Sequence, residues 1–200
     1  SEDVTIELTG QTIKLPSVSD EDPSVFHVVK EGGKLTLKGK GTIEVPDNAS
    51  GILVESGAEL SILGEVSISG GANGVNATSG ESGVKINVNT LGTIQSTNGI
   101  NLSGASGEIK IASGTVKGSN YAIAPGKDNA PTLGNIMTSA ALYINGTSAT
   151  QEQLKAVPTA DMKELVFDDG KAPELTVSSA KRTSETEATV TFTASKAGTY

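Results

Sequence analysis

One short phrase returns along the chain at nearly even intervals, and it constrains the fold more than any other feature. The phrase is a turn residue followed by two inward apolar positions that flank an outward one. Its first inward position is occupied, in chain order, by Phe26, Ile52, Val75, Ile100 and Ala122. The spacings between these residues are 26, 23, 25 and 22. A near-constant period of this length is typical of a solenoid, in which each repeat buries its apolar face against its neighbours.

Two further strand signals follow each copy of the phrase and repeat with it. The second strand carries the inward pairs Leu35/Leu37, Leu60/Ile62, Val84/Ile86 and Ile109/Ile111. The third strand carries Ile43/Val45, Val66/Ile68, Ile94/Ser96 and Val116/Gly118. Three short strands per turn of about 24 residues predict an all-β chain folded as a parallel β-helix with three sheets and about six coils.

The residue columns that this fold requires are present in the sequence. A β-helix stacks each strand on its copy one coil later, about 4.8 Å along the axis, so like residues lie on like. A corner column of Asn73, Asn98 and Asn120 fits, because asparagine tolerates left-handed backbone and its amide can bond the amide above. A β-sandwich needs no such fixed spacing, because its consecutive strands pair antiparallel.

The periodicity decays after Gly126, and the composition changes again near residue 170. Thr150 to Gln153 has the form of a capping box, which predicts a short helix over 151–157 that covers the open end of the coils. The run 168–173 reads as a linker, and a new alternation follows from Leu175 to Ala194. We predict a β-helix domain with its cap over 1–170, and over 171–200 a linker and the first strands of a further module.

Charge and composition exclude several classes of function. The net charge is -8 and the chain has a single arginine, Arg182, which disfavours nucleic acid as a partner. There is no cysteine for a disulfide, a thiolate metal site or a thiol nucleophile. No apolar run approaches the roughly 20 residues that a membrane span needs, and residues 1–20 do not read as a secretion signal.

The coils resemble the right-handed parallel β-helix of the pectate-lyase-like superfold. The phrases Gly32 to Gly39 and Ser56 to Gly64 are similar to those of modular surface proteins of Gram-positive anaerobes. The alternation from Arg182 to Phe192 resembles the start of a bacterial Ig-like module. This resemblance implies an extracellular location at a cell surface and further domains in the same protein; its motifs are structural rather than catalytic.

The residues that an enzyme on this superfold would need are not recognisable. A lyase of the pectate type uses carboxylates that hold Ca²⁺ beside an arginine or lysine base; the coils have no arginine, and we expect no acidic cluster around Lys85 and Lys110. A glycosidase needs two carboxylates about 5 to 10 Å apart, and only Glu59 and Glu108 share a strand position, two coils apart. The acidic run 20–22 matches no calcium loop. We therefore predict no catalytic residue, no metal and no cofactor.

A flat outer face on the first sheet is the remaining candidate site. Its outward column is predicted to read His27, Leu53, Asn76, Asn101 and Ile123, with Tyr121 near one end. His27 is the only histidine, and we expect it to be an exposed strand residue without a carboxylate partner. The candidates for contact with a polysaccharide or a host or cell-wall glycan are Asn76, Asn101, Tyr121 and His27. The sequence favours a non-catalytic stalk or adhesin-like module; a polysaccharide lyase or glycoside hydrolase remains the alternative.

Overall fold

The computed structural model describes residues 3–15, 23–29, 32–78, 83–103, 107–126, 130–171, 175–184 and 186–194. The chain divides into two compact units, Ser1–Asp169 and Gly170–Tyr200. The first unit is a β-solenoid of about four turns. The predicted all-β fold, a parallel β-helix, is therefore confirmed, but it has about four turns where the sequence predicted about six.

Each turn of the solenoid combines a short strand on the first sheet with a long strand that bends through the second and third sheets. The short strands are β2 (Ser24–Val28), β4 (Ser50–Val54) and β6 (Asn73–Ala77). The long strands are β1 (Asp3–Lys14), β3 (Lys34–Val45) and β5 (Glu59–Gly70). β7 (Val84–Asn101) and β8 (Gly107–Ala124) run through all three positions. Parallel pairing joins β1-β3-β5-β7-β8 and, on the first sheet, β2-β4-β6-β7.

Two glycine columns make the corners between the sheets. At the bend inside the long strands, Gly39 and Gly64 stack and take φ values of 88° and 78°, a region that favours glycine. At the start of the first sheet, the column of Gly51, Gly74 and Gly99 has no room for side chains. A Cβ atom on Gly74 would lie 2.5 Å from the carbonyl oxygen of Gly99. The glycines therefore allow the backbones of successive coils to approach closely.

The core is a set of aliphatic columns inside the coils. Leu37, Ile62, Val88 and Ile111 stack in register on the second sheet, and Ile43, Ile68, Ile94 and Val116 stack on the third. All eight side chains are at most 1% exposed. Full burial of such a side chain is worth about 1.5 to 3 kcal/mol, which explains how the chain folds with so few aromatic residues.

The observed register corrects several predicted columns. Ile123, not Ala122, stacks on Ile100, because β8 has two residues between Gly118 and Tyr121 where β7 has one between Ser96 and Asn98. Ile123 is consequently buried and does not belong to the outward column. On the third sheet Ile43 pairs with Ile68 rather than with Val66, a shift of two residues. A similar shift on the second sheet places Ile86 and Val88, rather than the pair beginning at residue 84, beside Leu60 and Ile62.

The segment that follows the last coil forms an antiparallel cap. It contains α1 (Leu133–Ile136), β9 (Ala141–Ile144), β10 (Thr147–Ser148), α2 (Gln151–Leu154) and β11 (Glu164–Asp168). β11 pairs antiparallel with β8 and with β9. Leu133, Ile136, Leu165 and Phe167 extend the core of the coils into the cap. The predicted capping box is confirmed, since Thr150 and Gln153 exchange side-chain to backbone hydrogen bonds, although α2 ends at Leu154.

The second unit contains one antiparallel hairpin among its described residues. β12 (Leu175–Arg182) pairs with β13 (Ala188–Ala194), with an irregularity between Val177 and Ser179. Val177 and Val190 are both more than half exposed. A two-stranded hairpin of this kind has little independent stability in water.

Candidate functional site

The outer face of the first sheet carries three of the four residues that the sequence nominated as glycan contacts. The observed column is His27, Leu53, Asn76, Asn101 and Ala124. Asn101 Nδ2 donates to Asn76 Oδ1 over 3.1 Å, so the two amides form a ladder along the axis. Asn101 Oδ1 also accepts from the backbone N–H of Ser103 at 3.1 Å. These hydrogen bonds give both amides a structural role in joining coils.

His27 lies at the other end of this face and has a carboxylate partner, contrary to the prediction. Its Nε2 is 2.9 Å from Oε1 of Glu55 on the adjoining coil. The histidine side chain is 46% exposed, as expected for an outward strand residue. The sequence could not reveal the pairing, because the two residues are separated by 28 positions and meet only through the stacking of coils.

Tyr121 belongs to a different column from the other three candidates. It follows Ser50, Asn73 and Asn98 at the corner of the first sheet, where Asn120 was predicted. Asn98 Nδ2 donates to Asn73 Oδ1 over 3.1 Å, which confirms the amide ladder for this pair. Since Tyr121 offers no side-chain amide, the ladder ends here, and Oδ1 of Asn98 is buried without a hydrogen-bond partner.

The outward face of the second sheet carries a column of alternating charge. Asp3, Lys34, Glu59, Lys85 and Glu108 occupy matching positions on five successive strands. Lys34 Nζ lies 3.6 Å from a carboxylate oxygen of Glu59. Lys85 therefore lies between two glutamates and does not stack on Lys110, which instead follows Asn87. Two glutamates therefore flank Lys85, and no group of three acidic or histidine side chains forms a metal site among the described residues.

A polar groove of about 580 Å³ lies at the corner where the third sheet turns into the first. Three successive coils contribute Gly70 and Gly71, then the segment 95–97, then the segment 117–119. Lys163 and Glu164 of the cap close one side, and Asp47 lies in the lining as well. The groove therefore combines backbone, hydroxyl, amide and charged groups, and its lining has no aromatic residue.

Both lysines of the groove have partners within the protein, one a carboxylate and the other the backbone. Lys117 Nζ lies 2.8 Å from Oε1 of Glu164. Lys163 Nζ donates to the carbonyl oxygens of Ser119, at 2.9 Å, and Asn120, at 2.7 Å. The exposed hydroxyl and amide side chains of the lining are those of Gln95, Thr97 and Ser119.

One asparagine of the cap positions the groove's wall. Asn145 Oδ1 accepts from the backbone N–H groups of Lys163 and Glu164, both at 3.0 Å. Its Nδ2 donates to the carbonyl oxygen of Asp161 at 2.8 Å. Sequence reasoning missed this wall. The dipeptide Asn145-Gly146 signals a hairpin turn, yet nothing in it indicates which segment the side chain would hold.

Neither a metal-binding cluster nor a membrane-spanning helix occurs in the described part of the chain. No group of three His, Asp or Glu side chains is arranged there to hold a metal ion. The acidic run 20–22 lies outside the described residues. None of the described helices has the length and apolarity that crossing a membrane requires.

Comparison of the chain with known protein families, with curated proteins and with solved structures gives no match.

Proposed function

We propose that the solenoid is a non-catalytic module of an extracellular cell-surface protein, a stalk or adhesin-like element that binds polysaccharide. The observation that carries the proposal is the pairing of its carboxylates. Glutamates on successive coils form ion pairs with lysines, and one with the histidine: Glu7, Glu44, Glu55, Glu59, Glu65, Glu108 and Glu164. All of these pairs except that of Glu108 with Lys110, which lies within β8, join neighbouring coils or join the cap to a coil.

This pairing disfavours a glycosidase. An inverting enzyme holds an acid and a base about 6.5 to 9.5 Å apart with space for a water molecule and the sugar between them. Glu59 and Glu108 are two strands apart, about 10 Å by strand spacing. Lys85 occupies the strand between them, so the intervening position holds an ammonium side chain instead of an open cleft.

A stalk is supported by the way in which each coil is joined to the next. Parallel backbone pairing, aliphatic columns, amide ladders and ion pairs all run along the same axis. In a solenoid each coil contacts only its neighbours, so the length of the structure grows with the number of coils while the cross-section stays constant. We further propose that the hairpin of the second unit begins an Ig-like module of the same multidomain protein.

The alternative activity, a polysaccharide lyase, is supported by one observation, the position of Lys85 between Glu59 and Glu108. A lysine with two neighbouring carboxylates is part of what proton abstraction beside a sugar carboxylate requires. The described residues nevertheless lack a third acidic or histidine ligand there that would complete a metal site.

A glycan array with product analysis tests the proposal. The full chain is screened with and without Ca²⁺, and each glycan that binds is then incubated with the protein and examined for shortened products. We expect binding without turnover and without dependence on Ca²⁺. Turnover that is lost in Lys85→Ala and kept in Lys155→Ala, an exposed lysine outside the charge column, would establish the lyase instead.

A further inference from the structure

The geometry points to the corner groove, rather than the asparagine face of the first sheet, as a binding site for an uncharged polysaccharide. This inference rests on the proposed function, since it names where and which class of glycan the module binds. The groove crosses three coils and the cap. At about 4.8 Å per coil, it offers a repeating set of polar groups along the axis of the solenoid.

The lining favours a polyhydroxylated chain over a peptide. Peptides are recognised by addition to a free strand edge or by apolar pockets for alternate side chains. The groove's strand segments are already paired within the parallel stack. Its lining has glycines, hydroxyls, an amide and charged groups, and it has no aliphatic side chain. Sugar hydroxyls can both donate and accept, which matches the mixed donors and acceptors of this surface.

Both lysines of the groove already have partners within the protein, which favours a neutral glycan over an acidic one. A polysaccharide with carboxylates would need available cations, since charge-assisted hydrogen bonds contribute most to the recognition of an anion. Lys117 is neutralised by Glu164 at 2.8 Å, and Lys163 donates to two backbone carbonyls. Asp47 adds a further negative charge to the lining. An acidic chain would therefore meet paired cations and an unfavourable carboxylate.

The asparagine face is less suited to the same task. Asn76 and Asn101 already hydrogen-bond each other, and a ligand would have to compete with that ladder. The face is a sheet surface, and neither asparagine lines the groove. Gln95 and Thr97 of the groove are exposed and lie on either side of the buried Ser96 in one strand.

Isothermal titration of the full chain with four hexasaccharides tests the assignment. Three are neutral, namely β-1,4-glucan, β-1,4-mannan and α-1,4-glucan, and the fourth is oligogalacturonate. The variant Thr97→Tyr fills the groove, and Thr12→Tyr is the matched control, because Thr12 is an exposed strand threonine far from the lining. We expect a neutral hexasaccharide to bind, with an affinity lowered by about tenfold or more in Thr97→Tyr and unchanged in Thr12→Tyr. Circular dichroism confirms that both variants fold.

The outcomes separate this inference from the proposed function. Binding of a neutral glycan that Thr97→Tyr leaves intact and Asn101→Ala weakens would overturn the groove and preserve the adhesive module. Tighter binding of oligogalacturonate than of every neutral chain would overturn the ligand class. If none of the four hexasaccharides binds and no glycan on the array binds, both the groove assignment and the adhesive function are overturned.

Discussion

The alternating charges on the second sheet predict a salt-dependent loss of stability when one of them is reversed. Lys85 lies between Glu59 and Glu108 on adjacent strands, so Lys85→Glu converts two opposite-charge neighbours into two like-charge neighbours. Like charges directly opposite each other across strands are destabilising. Burial of apolar side chains is unaffected, because residue 85 is exposed. The effect is therefore almost purely electrostatic.

The magnitude follows from the strand spacing. Two unit charges about 5 Å apart in water interact by about 0.8 kcal/mol without salt. The reversal removes two attractions and creates two repulsions, and screening with a Debye length of about 8 Å at 0.15 M leaves a loss of about 2 kcal/mol. At 1 M salt the Debye length is about 3 Å, and the loss falls to about 0.6 kcal/mol.

Urea unfolding followed by circular dichroism measures the free energy of unfolding, because urea is uncharged and the salt can be varied independently. Lys155→Glu is the control, since it changes the net charge equally at an exposed position outside the column. In a Glu108→Lys background residue 85 has one neighbour of each charge, so Lys85→Glu should change the free energy of unfolding by close to zero there; the comparison within that background cancels the loss of the pair between Glu108 and Lys110. A loss that is equal at both salt concentrations, or equal in the control, would refute the role of the charge column.

Two further substitutions test the corners of the solenoid. Gly74→Ala places a Cβ atom 2.5 Å from a backbone oxygen of the next coil and should destabilise by at least about 3 kcal/mol by urea unfolding. Gly146→Ala, which meets nothing within 4 Å but has a φ of 81°, should lose only about 1 to 2 kcal/mol, and equal losses would contradict the close approach. Thr90→Val removes a buried hydroxyl that donates to a carbonyl at 2.9 Å and accepts from a backbone N–H at 3.0 Å, and should cost about 1 to 3 kcal/mol in thermal or urea unfolding. Thr42→Val on the outer face should change stability by less than about 0.5 kcal/mol, and a similar loss there would argue against the buried bonds of Thr90.

The period of the sequence predicted the fold because a solenoid repeats its geometry along the chain. The first-sheet column from Phe26 to Ile100 was read correctly, since turn residues mark each copy. The second- and third-sheet columns were displaced by two residues at some coils, as with Ile43 and Ile68. A shift of two residues leaves every side chain on the same face, so the alternation of apolar residues cannot distinguish the two registers.

The last coil and the cap show where the repeat ceased to be informative. One extra residue in β8 moves Ile123 inward and Tyr121 to the corner. Ser119 and Asn120 lie opposite the single residue Thr97 of β7, and their carbonyls accept from Lys163 of the cap. A local sequence pattern cannot indicate such a contact, because the two partners are more than 40 positions apart in the chain.

The sequence by itself determined the class of fold, the inward column of the first sheet and the amide ladder of Asn73 and Asn98, because these depend on short-range alternation and on a constant period. The tertiary structure decided which charges become neighbours, which carboxylate lies beside His27, and where the cap turns back on β8. It also created the groove, whose walls come from Gly70, Gln95, Lys117 and Glu164 in separate coils and the cap. Such a surface exists only once the stacking register and the antiparallel return of β11 are set, and both depend on contacts between residues distant in the chain.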